Sequence, residues 1–187
     1  MKLTGHLRTV MQHRRKVFVL CCRAGIPLEG IKHDFSKFSP SEFIPGVRYY
    51  AGGVRSPNEL ERLDKGYSAA WMHHKGRNRH HFEYWTDYDP VTRKITPIKM
   101  PLGSVAELLC DRIAASKTYK GKKYTDAHPL EYFLGGKATR TIHTDTSNYI
   151  EGMLTLLRNE GESAMLKRLK RHLKKEGRHS TNYSINS

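Results

Sequence analysis

The sequence predicts an all-α fold, a bundle of about six or seven helices with one small extended or hairpin excursion near Pro90–Pro101. Three observations predict it. Apolar residues recur at spacings of three and four along most of the chain, the period of a helix with one buried face. Serine-proline and glycine signals bracket those stretches, as helix starts and stops do. Only the segment from Asp89 to Ile95 reads as a turn leading into extended chain, too short for more than a small hairpin.

Leu7, Val10, Val17 and Leu20 place a first helix over residues 3–24, with Gly25 as its stop. His13 falls on the same stripe, after Val10 and before Val17. Pro27 opens a second helix at its first turn, with Leu28, Ile31 and Phe35 as the expected inner face. His33 and Asp34 are adjacent on it, about 100° apart around the axis, so they meet at one point only beside a cleft. Ser39-Pro40-Ser41-Glu42 and Ser56-Pro57-Asn58-Glu59 read as capping boxes that start two further helices. The helix from Pro57 carries Leu60, Leu63, Tyr67, Trp71 and His74 in phase, which puts His74 on the buried stripe and turns His73 away. Asn78 is the expected cap of a short helix holding His80, His81, Glu83 and Trp85. Gly103-Ser104 starts a helix through Tyr119, with Leu108, Asp111 and Ala115 on one face. Shorter helices follow over Pro129–Leu134, ended by Gly135-Gly136, and over Thr146–Asn159, stopped near Gly161. A last helix, around Ser163–Glu176, sets Met165, Leu166, Leu169 and Leu173 opposite a face of lysines and arginines. The polar residues after Gly177 read as disordered.

At 187 residues the chain suits one domain, residues 1–160, followed by the basic helix and tail of residues 161–187. A hydrophobic share of 37% suffices for one helical core. Lys+Arg 33 against Asp+Glu 18 leaves a net charge of +15, which attracts phosphate-containing small molecules or nucleic acid. The three cysteines, Cys21, Cys22 and Cys110, include no CxxC pair, so a disulfide framework is not expected and a reducing cytoplasm fits best. Val17 to Cys22, the longest apolar run near the start, is too short to cross a bilayer, and no membrane partner is expected.

The residues that carry chemistry are histidines and aspartates. His13 precedes the pair His33-Asp34, then come His73-His74 and His80-His81, and Asp111 closes the series. Imidazole nitrogen and carboxylate oxygen are the donors that borderline divalent metals prefer. A chain that offers both on helices has the parts of a metal site with open positions. Lys37 lies one helical turn after His33, and Arg77 and Arg79 flank the histidine cluster, which makes these three the candidate phosphate contacts. Glu83 and Glu107 read as ordinary helix-surface carboxylates, orientation of a ligand from the outer shell being the alternative. Trp71, Tyr84 and Trp85 offer faces for a base, but Trp71 on the inner stripe reads as core.

The order of these residues resembles the HD superfamily of metal-dependent phosphohydrolases. In that superfamily a first helix supplies a histidine, a second supplies the adjacent His-Asp, and a late helix supplies the closing aspartate. Members with two metals add histidines between. The resemblance implies an HD-domain-like helical bundle in which His13, His33, Asp34 and Asp111 bind metal, with His74, His80 and His81 in the intervening slot. The string His33-Asp34-Phe35-Ser36-Lys37 also resembles the His-Asp-x-x-Lys form of cyclic-dinucleotide phosphodiesterases in the superfamily. This likeness spans roughly Met11 to Ser116. Longer strings, KHDFSKFSPSEF, AWMHHKGRNRHHFEYW, AELLCDRIAAS and HPLEYFLGG, resemble an uncharacterised family of bacteria and their phages, as far as Leu157. That likeness implies the same fold and no set reaction.

The expected function is hydrolysis of a nucleotide or related phosphate ester by metal-activated water, with one or two divalent ions (Mn, Fe, Mg, Zn or Co) as cofactor. Asp34 and Lys37 are the expected catalytic residues, and Asp34 bridges the ions if two bind. The competing expectations are a nucleic-acid-binding protein or metal-dependent nuclease that uses the basic surface, and a metal that only staples the fold.

Overall fold

The computed structural model describes residues 1–185. These residues form eight α-helices and one hairpin. Helix α1, Lys2–Ala24, ends where Gly25 adopts a left-handed φ of 89° and its N–H reaches back to Cys21 and Cys22. Helices α2 (Pro27–Lys32), α3 (Pro40–Arg48) and α4 (Pro57–Lys65) each begin with proline in the first turn, where its missing N–H costs nothing. Helix α5 is Ala69–Lys75 and α6 is Leu102–Lys120. Helix α7 is His128–Gly135, and α8, Thr144–Glu176, breaks at Gly161 (φ 85°, ψ 172°). Strands β1 (Thr86–Asp89) and β2 (Lys94–Pro97) pair antiparallel, the small hairpin expected there.

Helix α6 is the centre of the bundle. Its buried residues are not confined to one stripe, and they include Val105, Leu109, Ile113 and Ala114. Val17, Leu20 and Cys21 of α1 and Ile150, Leu154, Leu157 and Leu169 of α8 close around it. Each such aliphatic side chain contributes about 1.5–3 kcal/mol when fully buried. All three cysteines are free, and no helix among the described residues is long and apolar enough to cross a membrane.

Several expectations are corrected. Among the described residues there are eight α-helices rather than six or seven, and the continuous stretch from Pro57 to His74 is cut in two. Gly66 takes a left-handed φ of 79°, and Ser68 then caps α5 by accepting from the Trp71 N–H at 3.0 Å. Leu63 and Tyr67 are left exposed. Leu28, Ile31 and Phe35 also face out, at 54%, 56% and 69% exposure, rather than forming an inner face. Helix α2 meets α1 through Gly30 instead, where an added Cβ would lie 2.8 Å from Cys21 Cβ. Neither Ser39 nor Ser56 makes a side-chain cap bond, so the boxes supply the helix starts without the reciprocal hydrogen bonds.

The tail is ordered rather than disordered as far as Ile185. Helix α6 begins with backbone N–H groups that have no intrahelical acceptor. Leu102 N–H donates to Ser180 O (2.9 Å) and Gly103 N–H to Arg178 O (2.8 Å). Tyr183 is buried, and its hydroxyl donates to Met100 O at 2.7 Å. The expectation for Asn186 and Ser187 lies outside the described residues.

Candidate metal centre

The site forms where the chain leaves α2. His33 is the C-cap with extended backbone (φ −48°, ψ 128°), and Asp34 adopts a left-handed φ of 52°. Aspartate tolerates that region better than most side chains. The two residues are therefore not 100° apart on a helix. The break in the backbone aims both side chains at the same space, with His33 Nε2 3.4 Å from Asp34 Oδ2.

Helices α1 and α6 bring the rest of one group. His13 Nε2 lies 3.3 Å from His33 Nε2 and 3.8 Å from Asp34 Oδ2. Asp111 Oδ1 comes within 3.0 Å of His13 Nε2 and 3.7 Å of His33 Nε2. A second group lies on the other oxygen of Asp34. His74 Nε2 is 3.3 Å and His80 Nε2 3.5 Å from Asp34 Oδ1. Ligand atoms of Asp34, His74, His80 and His81 all fall within 4.8 Å of one another, and so do those of His13, His33 and Asp34. All seven expected ligands thus converge, and Asp34 belongs to both groups. These groups can hold a metal ion.

Two glutamates set the direction of the imidazoles. Glu107 Oε1 accepts from the Nδ1–H of His33 (2.8 Å) and of His80 (3.0 Å). The two oxygens of Glu42 do the same for His73 and His74, both at 2.7 Å. For His33, His74 and His80 each bond holds a proton on Nδ1 and aims Nε2 into the site, the nitrogen a metal takes once the imidazole is neutral. Glu107 is therefore not an ordinary surface carboxylate. Asn78 is not a helix cap. Its side-chain amide donates to Ser36 Oγ and His74 O, both at 2.8 Å, and ties down the loop from which His80 and His81 project. Residues 82–84 make only a 3-10 turn, so the expected helix around His80 is absent.

Electrostatics matches the geometry. Burial alone would raise the pKa of Asp34, but His33, Lys37 and His74 outweigh it and hold the group well below the usual carboxylate range. Asp111 is likewise held ionised, its burial outweighed by His13 and His33. His33 is disfavoured as a cation by burial, yet Asp34, Asp111 and Glu107 raise it to about 10. His81 goes the other way, because burial and the charge of His80 and His74 keep it neutral. Three buried atoms in the second group, Asp34 Oδ1, His80 Nε2 and His81 Nε2, have no hydrogen-bond partner. Leaving such a group unsatisfied costs about 1–3 kcal/mol. Buried polar atoms that converge without hydrogen-bond partners fit a shared cation.

The metal groups open onto a cavity of about 510 Å³. Lys37 lines it, with Nζ 2.9 Å from Asp34 Oδ2. Arg77 and Arg79 do not line it. Both are exposed, because the loop turns these two side chains outward, and Arg79 stacks on Tyr84 and Trp85 (5.6 and 5.1 Å to the ring centroids). The cavity's cations are Arg55, Arg62, Arg112 and Arg140 instead. Trp71 is a half-buried wall of the cavity rather than core, edge-on to His81 at 4.8 Å. Of the residues that sequence reasoning missed, Glu42 stood in a capping motif that explained it already, and Arg112 carried only its place beside Asp111 as a signal.

In comparison with known families, the family described as "Family of unknown function (DUF5662)" matches residues 2–156. The chain belongs to that family. No curated protein and no solved structure matches it.

Proposed function

We propose that this member of the DUF5662 family is a metal-dependent phosphohydrolase with an HD-like centre, acting on a nucleotide or a related phosphate ester. One observation carries the reading: buried atoms of Asp34, His80 and His81 that make no hydrogen bond converge with His74, beside a second group that shares Asp34. The order of donors along the chain supports the likeness to the HD superfamily. A bound divalent ion supplies hydroxide near neutral pH and Lewis acidity toward a phosphoryl oxygen.

The chain's own residues supply the rest. His13, His33, Asp34 and Asp111 would hold one ion, and Asp34, His74, His80 and His81 a second. Glu107 and Glu42 keep the imidazoles oriented. Lys37, fixed by Asp34, places a positive charge at the mouth for a phosphate oxygen. The lining carries five cationic side chains (Lys37, Arg55, Arg62, Arg112, Arg140) and five acidic ones (Asp34, Glu42, Glu59, Glu83, Asp111). Every divalent ion added to that balance leaves a surplus of positive charge for an anionic substrate.

Elemental analysis of the purified protein, followed by a screen of phosphate esters with and without the metal found, tests the reading. The expected result is bound transition metal and turnover that chelation abolishes. Full turnover after verified metal removal would reject it. Nucleic-acid binding or nuclease action is favoured by one feature, the exposed Lys167, Lys170, Arg171 and Lys174 on α8. A steep fall of RNA or DNA affinity with salt is its signature.

A further inference from the structure

The cavity has a second polar end, built where α7 packs beside α6. Arg112 follows the metal-site residue Asp111 on α6, is half-buried, and lines the cavity. Its guanidinium sits 4.4 Å from the centroid of Tyr132 on α7 and makes no hydrogen bond or ion pair among the described residues. Arg140 lies 5.4 Å from the same ring centroid. It is anchored, donating to Phe133 O (2.6 Å) and Tyr132 O (3.1 Å) at the end of α7. Gly136 makes room for it, since a Cβ there would fall 2.5 Å from Arg140 Nη2. The HPLEYFLGG string thus seats an arginine.

Two guanidinium groups on one aromatic ring repel each other unless an anion lies between them. The nearest acidic wall residue, Glu83, interacts electrostatically with both yet forms no ion pair within 4.0 Å of either. Arg140 is also a weaker base than usual, through burial first and then the charge of Arg112. Guanidinium forks match oxyanions geometrically and hold them more strongly than neutral donors do.

We propose that Arg112 and Arg140 form an oxyanion subsite that takes a second anionic group of the substrate, a phosphate or carboxylate other than the one at the metal centre. The substrate class is then a phosphate ester with two separated anionic groups. This rests on the phosphohydrolase reading for the word substrate, but the subsite binds oxyanions whether or not metal is bound.

The test uses the full chain freed of metal by chelation and titrated calorimetrically with inorganic phosphate and, in parallel, acetate. Wild type and Lys94→Gln, which removes an exposed cation of the hairpin outside the cavity, should bind phosphate alike. Arg112→Gln should weaken phosphate binding at least about tenfold, the usual scale for loss of a charge-assisted contact. Gly136→Ala, which displaces Arg140 without changing charge, should weaken it as well and carries the test if Arg112→Gln loses its helical circular dichroism. Tighter acetate than phosphate binding would assign the subsite to carboxylates. Phosphate binding unaffected by both variants would overturn the proposal. With metal restored, Arg112→Gln should raise KM about tenfold for a nucleoside 3′,5′-bisphosphate and leave that for p-nitrophenyl phosphate unchanged. Arginine-dependent phosphate binding without turnover of any ester would refute the hydrolase reading alone. Turnover with phosphate binding indifferent to Arg112 would refute the subsite alone.

Discussion

Replacing Glu107 by glutamine isolates the one carboxylate that holds an imidazole from each metal group. Its Oε1 accepts from His33 Nδ1 at 2.8 Å and His80 Nδ1 at 3.0 Å. Hydrogen bonds to a charged group contribute about 1.5–3 kcal/mol each. The amide oxygen still accepts, so only part of that is lost, and the imidazoles lose rigidity and basicity together. Outer-shell substitutions of this kind reduce metal affinity by about 10–100-fold. That range corresponds to about 1.4–2.8 kcal/mol, within what two weakened bonds supply. Competition of the protein with a fluorescent chelator for Zn²⁺ or Mn²⁺ measures it, and circular dichroism checks that the helices persist. Glu59→Gln, on the same cavity wall but bonded to no imidazole, should bind metal as wild type does. A folded Glu107→Gln protein with affinity within about twofold of wild type would refute the orienting role assigned to Glu107.

Metal loading should expel protons. His33 is raised from 6.5 to about 10 without metal, burial opposing and its carboxylate neighbours prevailing, so it is charged at pH 7.5 and must become neutral to ligate. Titration calorimetry in buffers of different ionisation enthalpy should show release of about one proton or more, and buffer-independent heats would contradict the assignment. For stability the sign is the reverse: charged His33 stabilises the metal-free fold fully below pH 6.5, and the contribution fades as pH rises through about 10, readable as a falling Tm. Tyr183→Phe should cost about 1–3 kcal/mol by leaving Met100 O without its donor, whereas Asn182→Ala, on an exposed residue beside it, should stay within about 0.5 kcal/mol. Equal Tm values for the two variants would mean that the tail does not dock on α6.

The helices were largely legible because their cause is local. Val10, Val17 and Leu20 bury one side of α1 at helical spacing, and Gly25 stops it by accepting a left-handed φ. The long apolar phase from Leu60 to His74 misled because periodicity is indifferent to a single residue such as Gly66 that breaks the backbone while the pattern continues. Leu28 and Ile31 misled for a different reason. The contact that α2 makes is through Gly30, and close approach at a missing side chain leaves no apolar signal.

By itself the sequence determined which donor atoms this protein has and the order in which they arrive, because imidazole and carboxylate chemistry belongs to the residue and not to its surroundings. It also determined most helix bounds, which depend on neighbours a few positions away. Only the tertiary structure decided that Asp34 turns one oxygen to each group, that Glu42 and Glu107 stand behind the imidazoles, and that Arg112 and Arg140 rather than Arg77 and Arg79 face the cavity. Those outcomes depend on the angle at which helices far apart in sequence cross, and on a backbone break at His33 and Asp34 that no spacing rule encodes.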